Sequence, residues 1–296
     1  MSNCWEIGEL GDFDSLVLDI GQALLAAPKA TVERWQSINV QSRPESQTRE
    51  LTHARIHIKH SSAAQGYTAK RTGANMPWAE DHFQERVSGK PLNPPPSEAW
   101  WPYARQGNAE HKADEKFSHT YPERFWPVHA GDVCFRCEFR LKEELEEEGH
   151  IHIAHRGIRY RYGDLADVVN LLINDPSTRQ AYLPVWFPED TGAIEGQRVP
   201  CTLGYHFLQR NGVMDIEYHI RSCDFMRHWR DDVYMAIRLL QWVCREVGGH
   251  IAPGAFIMNI GSLHIFEADR QLLQMQTDAL KKKAEQERFA RISGAL

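Results

Sequence analysis

Residues 198–232 read RVPCTLGYHFLQRNGVMDIEYHIRSCDFMRHWRDD. TLGYHFLQR and MDIEYHIRS read as consecutive strands, and QAYLPVWF (180–187) precedes them as another. Arg210-Asn211-Gly212 joins the two, because Asn-Gly tolerates the positive φ of a tight hairpin turn. Cys201 follows Pro200 at the head of the first strand. DDVYMAIRLLQWVCREVGG (231–249) then begins with acidic residues and stops at Gly-Gly, which predicts a long capped helix with much apolar surface. Strand, turn, strand and helix in this order suit a mixed α/β or α+β domain.

The flanking sequence extends that reading. Helical spacing marks DSLVLDIGQALLAA, with Asp14 or Ser15 near its N-cap, and GDLADVVNLLINDP (163–176), capped by Asp164 and stopped by Asn-Asp-Pro. RELTHARIHIKH (49–60) alternates with period two, as a half-buried strand does. Residues 61–89 are polar, and NPPPSEAWWPY (93–103) combines a Pro-rich turn with tryptophans. PGAFIMNIGSLHIF predicts a buried strand or strand pair, and EADRQLLQMQTDALKKKAEQER an amphipathic helix. With no repeat and no obvious linker, one domain over 1–296 is expected.

A chain of 296 residues with 42% hydrophobic content can build a sizeable core. Its net charge of −6 offers no global basic field for direct nucleic-acid binding or for an anionic membrane. Cysteines at 4, 134, 137, 201, 223 and 244 form no dense disulfide framework, so reduced, cytoplasmic usage is expected (host cytoplasm for a viral source). MSNCWEIGEL lacks the basic start of a signal peptide, and SLVLDIGQALLAAP is too short to span a bilayer.

CFRCEFRLKEELEEEGHIHIAH (134–155) satisfies the C-x2-C-x12-H-x4-H spacing of a zinc finger. A nucleic-acid-binding finger should be basic, whereas this segment runs Lys-Glu-Glu-Leu-Glu-Glu-Glu. VCFRCEFRL alternates as a strand does, which sends the two thiols to opposite faces. An antiparallel hairpin inserted over 131–156, with no metal, is the expectation.

Taken alone, Cys201 reads as ordinary strand packing. DPSTRQAYLPVWFPED, RVPCTLGYHF, YHIRSCDFMRHWRDD and FIMNIGSLHIF, in that order across 164–266, resemble the core of the thymidylate synthase superfamily. YPER (121–124), SEAWW (97–101) and SRPESQTREL (42–51) extend the likeness toward the N-terminus. The resemblance implies a large mixed β-sheet flanked by helices, paired through the sheet in a homodimer. It also implies a pyrimidine nucleoside monophosphate as substrate and 5,10-methylenetetrahydrofolate as cosubstrate. Cys201 would add to C6 of the pyrimidine, and C5 would capture the folate's methylene carbon. Hydride transfer to the resulting exocyclic methylene then methylates; water hydroxymethylates.

Site residues carry over one by one. Glu98 matches the glutamate that organises water, through the E-x-x-W spacing to Trp101. Tyr121 resembles the tyrosine that helps remove the C5 proton. Arg221 resembles the phosphate-binding arginine beside the cysteine, and Arg179 the arginine that reaches the phosphate from the partner subunit, although Gln180 replaces the second member of that pair. Arg43 corresponds to a phosphate-loop arginine, Ser222 to a phosphate contact, Asp224 to a contact at base or folate, and His264 to a sugar contact, with Phe266 in place of a tyrosine.

Asp232 occupies the position at which thymidylate synthases carry an asparagine that reads uracil. A carboxyl group can instead accept from N4 of cytosine and, when protonated, donate to N3. The plain alternative is that Asp231 and Asp232 cap the helix. GSLHIF resembles the form seen in deoxycytidylate hydroxymethylases, and the chain ends about 30 residues after Phe266. The expected activity is hydroxymethylation of dCMP. Methylation of dUMP, hydroxymethylation of CMP or dUMP, and a zinc-dependent nucleic-acid-binding protein are the alternatives.

Overall fold

The computed structural model describes residues 3–30, 34–35, 38–39, 43–102, 112–113, 115–127, 163–191 and 199–293. The zinc-like stretch and the hairpin expected over 131–156 lie outside them. Six strands form one mixed sheet: β1 (Cys4–Glu9), β2 (Thr48–His60), β3 (Tyr182–Pro184), β4 (Thr202–Arg210), β5 (Val213–Asp224) and β6 (Ala252–Phe266). Their spatial order is β1-β2-β6-β5-β4-β3. β1 runs parallel to β2 and β6 parallel to β5; the other pairings are antiparallel.

The hairpin at the start of the quoted stretch forms β4 and β5. Asn211 (φ 53°) and Gly212 (φ 77°) take the positive φ values that its turn requires. At the other end the register shifts between Thr202 and Gly204, a bulge immediately after Cys201. A Cβ at Gly204 would lie 2.6 Å from the Leu183 carbonyl oxygen, so only glycine lets β3 approach there. PGAFIMNIGSLHIF is one strand, β6, rather than a pair. Of QAYLPVWF only Tyr182–Pro184 pairs, because it lies at the sheet edge.

Among the described residues, the helices beside the sheet include α1 (Phe13–Ala26), α2 (Gln65–Thr72), α3 (Trp78–Arg86), α4 (Tyr121–Phe125), α5 (Leu165–Asn174), α6 (Trp229–Val247) and α7 (Arg270–Ile292), with a single helical turn at Pro188–Thr191. Asp12, not Asp14 or Ser15, precedes α1. Asp164 caps α5 as expected, accepting from the amides of Ala166 and Asp167 while Asp167 caps back. The segment 61–89, polar in composition, folds as α2 and α3. Trp78, Ala79 and Phe83 of α3 enter the core, while Tyr67 and Met76 stay exposed.

One sheet face is sealed by α6 and its neighbours. Ile56, Ile58, Phe207, Ile216, Tyr218, Phe256 and Met258 point into that core. Trp229, at the start of α6, stacks on Phe13 of α1 at 5.1 Å and on Phe225 at 4.8 Å. These contacts fix the N-terminus of α6 against the end of β5, which sets where Asp232 stands. The alternating residues of the other face include His57, Glu217, His219 and Asn259, all half-exposed.

Candidate active site

Cys201 emerges where β4 begins, and Tyr121, Arg221 and Asp232 converge on it from three other elements. All four keep partial solvent access. Arg221, on β5, is held by backbone carbonyls: its Nε donates to Pro200 O at 2.9 Å and its Nη2 to Val199 O at 3.2 Å. That anchoring leaves Nη2 3.8 Å from Cys201 Sγ. A guanidinium beside the sulfur supplies the positive charge on which a nucleophilic thiolate depends. The Trp186 ring lies 5.6 Å from the same guanidinium.

Tyr121 opens α4, whose capping box joins Thr120 and Glu123. A buried, two-pronged ion pair between Arg124 and Asp190, 2.9 Å on each arm, ties α4 to the helical turn Pro188–Thr191 that follows β3. The Tyr121 hydroxyl accepts from Thr202 Oγ1 at 3.3 Å, and Thr202 Oγ1 lies 2.9 Å from the Tyr218 hydroxyl. Burial raises the proton affinity of the Tyr121 phenol, and the Cys201 charge raises it further.

Asp232 retains some accessible surface because it lines the site, yet protein packs round it on every side, and that packing governs its proton affinity. Burial pushes its carboxyl up to about 7, Arg86 pulls it down, and Asp231 adds to the rise. Cys223 Sγ donates to Asp232 Oδ2 at 3.6 Å. Asp231 is spent differently: it accepts from the backbone and side-chain nitrogens of Asn75 at 2.7 and 2.8 Å. Neither aspartate caps the helix: its N-cap is His228, which makes no side-chain cap hydrogen bond, and Asp231 is held instead by Asn75. A carboxyl titrating near neutrality can both accept and donate a hydrogen bond to a ligand.

The remaining expected residues occupy varied settings. Asp224 is buried at the end of β5, accepts from the amides of Met226 and Arg227 at 2.9 and 3.1 Å, and is raised to about 6 by burial. Ser222 pairs in register with Ser262 of β6. His264 is buried, its ring edge-on to Phe266 at 5.7 Å, and burial lowers its proton affinity. Glu98 lies in the turn Pro96–Trp100, its Oε2 2.7 Å from Lys112 Nζ. Arg43 and Arg179 are exposed. Arg43 precedes the turn Pro44–Ser46, and the Arg179 carbonyl lies 3.1 Å from His206 Nε2.

Sequence reasoning missed a wall of the site. α3 directs Trp78, His82 and Arg86 inward, each four residues after the last. The Arg86 guanidinium packs over the Tyr121 ring at 4.1 Å. His82 stacks on Trp78 at 5.2 Å and meets Tyr121 edge-on at 6.4 Å. Its Nδ1 lies 3.2 Å from Glu85 Oε2 and 3.1 Å from Ser97 Oγ. Burial, then Arg86, lowers His82 to about 4, so the imidazole is neutral. The available signal was a His and an Arg inside the apolar stripe of WAEDHFQERV, where a solvated face would not place them.

Among the described residues, no group of three or more His, Cys, Asp or Glu could hold a metal ion, and no helix is long and apolar enough to cross a membrane.

Known proteins share this architecture. Residues 140–292, just over half of the chain, match the family described as thymidylate synthase. A putative thymidylate synthase of Methanococcoides burtonii is 32% identical over 103 residues, which cover 34% of this chain and 45% of that protein. The thymidylate synthase of Bacillus subtilis subsp. natto is 27% identical over 154 residues, 50% of this chain and 51% of that protein. The match thus spans about half the length of these curated relatives. Among solved structures, thermostable thymidylate synthase A from Bacillus subtilis aligns with a TM-score of 0.60 at 15% identity, over 90% of this chain and 84% of that one. At that identity the likeness speaks for the fold. Sheet order, the cysteine–arginine pair and the matched segment lead to one assignment: the chain belongs to the thymidylate synthase family, whose members transfer one-carbon units and use methylenetetrahydrofolate as cosubstrate.

Proposed function

We propose that this protein is a pyrimidine nucleotide hydroxymethylase that converts dCMP and 5,10-methylenetetrahydrofolate to 5-hydroxymethyl-dCMP and tetrahydrofolate. The observation that carries this reading is Asp232: a carboxyl raised to about 7 stands where the family's uracil-reading asparagine is expected. A cytosine edge offers an N4 donor and an N3 acceptor. A carboxyl group that titrates near neutrality can serve both, accepting from one and, when protonated, donating to the other.

The chemistry follows from the groups around Cys201. Its thiolate adds to C6, and electrons pass through the ring toward N3, where a proton from Asp232 stabilises them. C5 then bonds to the methylene carbon of the cosubstrate. Loss of the C5 proton, assisted by Tyr121, and expulsion of tetrahydrofolate leave an exocyclic methylene. Water adds there, and departure of the Cys201 sulfur restores the aromatic ring. Arg221, with Ser222, would hold the nucleotide phosphate, His264 the sugar, and Asp224 the base or folate; Glu98 would order water.

Homodimerisation is part of the proposal. The half-exposed sheet face carrying His57, Glu217, His219 and Asn259 offers a flat surface for a second copy. Exposed Arg179, at the edge of the sheet, would then reach the partner's phosphate, and Arg43 would close over its own. A single catalytic domain over 1–296 and a cytoplasmic location complete this reading.

Methylation of dUMP is the second reading, favoured by the names of the related proteins. Product mass separates the two. Purified protein incubated with dCMP and methylenetetrahydrofolate should yield a nucleotide heavier by one CH2O unit. Gain of CH2 on dUMP without reaction of dCMP would establish the second reading. No turnover of any pyrimidine monophosphate would sink both.

A further inference from the structure

Tyr218 of β5 is fully buried, its ring stacked on that of Tyr205 at 4.6 Å. A buried hydroxyl proton needs an acceptor, and Thr202 Oγ1 supplies one at 2.9 Å. A threonine hydroxyl carries a single proton, so Thr202 can accept from Tyr218 and still donate once. That donation goes to the Tyr121 hydroxyl oxygen at 3.3 Å. The three hydroxyls form a line with one direction, from the core of the sheet to the rim of the site.

The line is held at each point. Thr202 is buried beside Cys201, at the bulge where the β4 register shifts. Branching at its Cβ restricts χ1, which fixes the place of its oxygen. Tyr121 keeps partial solvent access at the far end. The Arg86 guanidinium covers its ring at 4.1 Å, and the His82 and His119 rings meet it edge-on at 6.4 and 6.5 Å. These contacts hold the ring, and Thr202 holds its oxygen.

We propose that Thr202 is a positioning residue for Tyr121. Its hydroxyl fills an acceptor site on the phenol oxygen from the protein side, and so turns the phenol's own O–H toward the nucleotide. An oxygen that receives a donor also bears negative charge more readily, which eases the part Tyr121 plays as the C5 proton leaves. Thr202 is buried and acts through Tyr121. This catalytic half of the inference rests on the function proposed above; the hydroxyl line does not.

The first test therefore needs no ligand. A ring-difluorinated tyrosine is incorporated in place of Tyr121, and its ionisation is followed by fluorine NMR. The groups that bear on that proton are His82 and Arg86 from α3, His119 from its own segment, Cys201 ahead of β4, Tyr205 from β4, Tyr218 from β5 and Asp232 from α6. Thr202→Val keeps all of these and removes the donor. It should raise the midpoint by roughly half to one pH unit, and Thr202→Ser by less than about a third of a unit. A midpoint unchanged in Thr202→Val overturns the proposal. Should that variant fail to fold, Tyr218→Phe decides: it removes the donor that sets the direction of the line, and should raise the midpoint by about a third of a unit or more. No movement there overturns the line.

Turnover reads the second half. Thr202→Val should lower kcat on dCMP about tenfold with KM within about twofold of wild type, and Thr202→Ser should recover most of the loss. Deuterium at C5 of dCMP should slow Thr202→Val more than wild type, because loss of the C5 proton then limits the rate more fully. A full rate in Thr202→Val, a loss confined to KM, or equal isotope effects in the two proteins would show that Thr202 does not act on that step. If wild type turns over no pyrimidine monophosphate, the proposed function fails while the fluorine titration still judges the line.

Discussion

At one end of the site, Cys201 is partly open to solvent and stands 3.8 Å from a guanidinium fixed by two backbone carbonyls. At the other, Asp232 accepts from the Cys223 thiol, and burial raises its carboxyl to about 7. The first arrangement favours a charged nucleophile: a fixed cation beside a sulfur with partial solvent access. The second disfavours charge, and so holds a proton that can be given or taken at neutral pH. The proposed nucleophile and the proposed base reader are built by opposite electrostatics, so each should fail in its own way.

Substitution at the nucleophile should have the largest effect. Cys201→Ser removes the thiolate but little volume, and should lower kcat by roughly 10⁴-fold or more while leaving the circular dichroism spectrum unchanged. Residual turnover near the wild-type rate would show that no covalent adduct at Cys201 is required. Arg221→Ala should act on the same end, weakening nucleotide binding by about 2–4 kcal/mol as charge-assisted contacts are lost. Binding of the free nucleoside should hardly change; an equal loss for nucleoside and nucleotide would remove Arg221 from the phosphate.

The smallest effect concerns stability and belongs to Asp232. Its folded proton affinity is raised above the ordinary carboxylate value of 3.8 to about 7, so the folded state binds the extra proton. Stability should therefore fall as pH rises from about 4 to 7 and level off above. Asp232→Asn cannot ionise and avoids that cost. It should melt higher than wild type at pH 8, by about 1–3 kcal/mol, with the gap closing by about pH 4. A pH-independent difference between the two proteins would contradict the raised carboxyl.

The nucleophile end was also the more legible in the sequence. RVPC, the Asn-Gly hairpin and RSCD lie within one 30-residue span, and local strand and turn chemistry brings Cys201 beside Arg221. The α3 wall was less legible, because WAEDHFQER reads as a polar segment until the core it packs against is known. Its His82 and Arg86 share a stripe with Trp78, Ala79 and Phe83, but contact with α4 and α6 is what buries them. Likewise, Asp231 and Asp232 look alike at a helix start. Only the position of Asn75, 156 residues away, shows which of them is held by the scaffold.

The central claim is that the Asp232 carboxyl makes this a cytosine-reading member of its family. The most direct measurement is the ratio of kcat/KM for dCMP over dUMP in wild type and in Asp232→Asn, with products identified by mass. Wild type should favour dCMP, and the amide should shift the ratio toward dUMP by about 1–3 kcal/mol, roughly 10- to 100-fold. A ratio unchanged by the substitution, or a wild type that already prefers dUMP, would contradict the account.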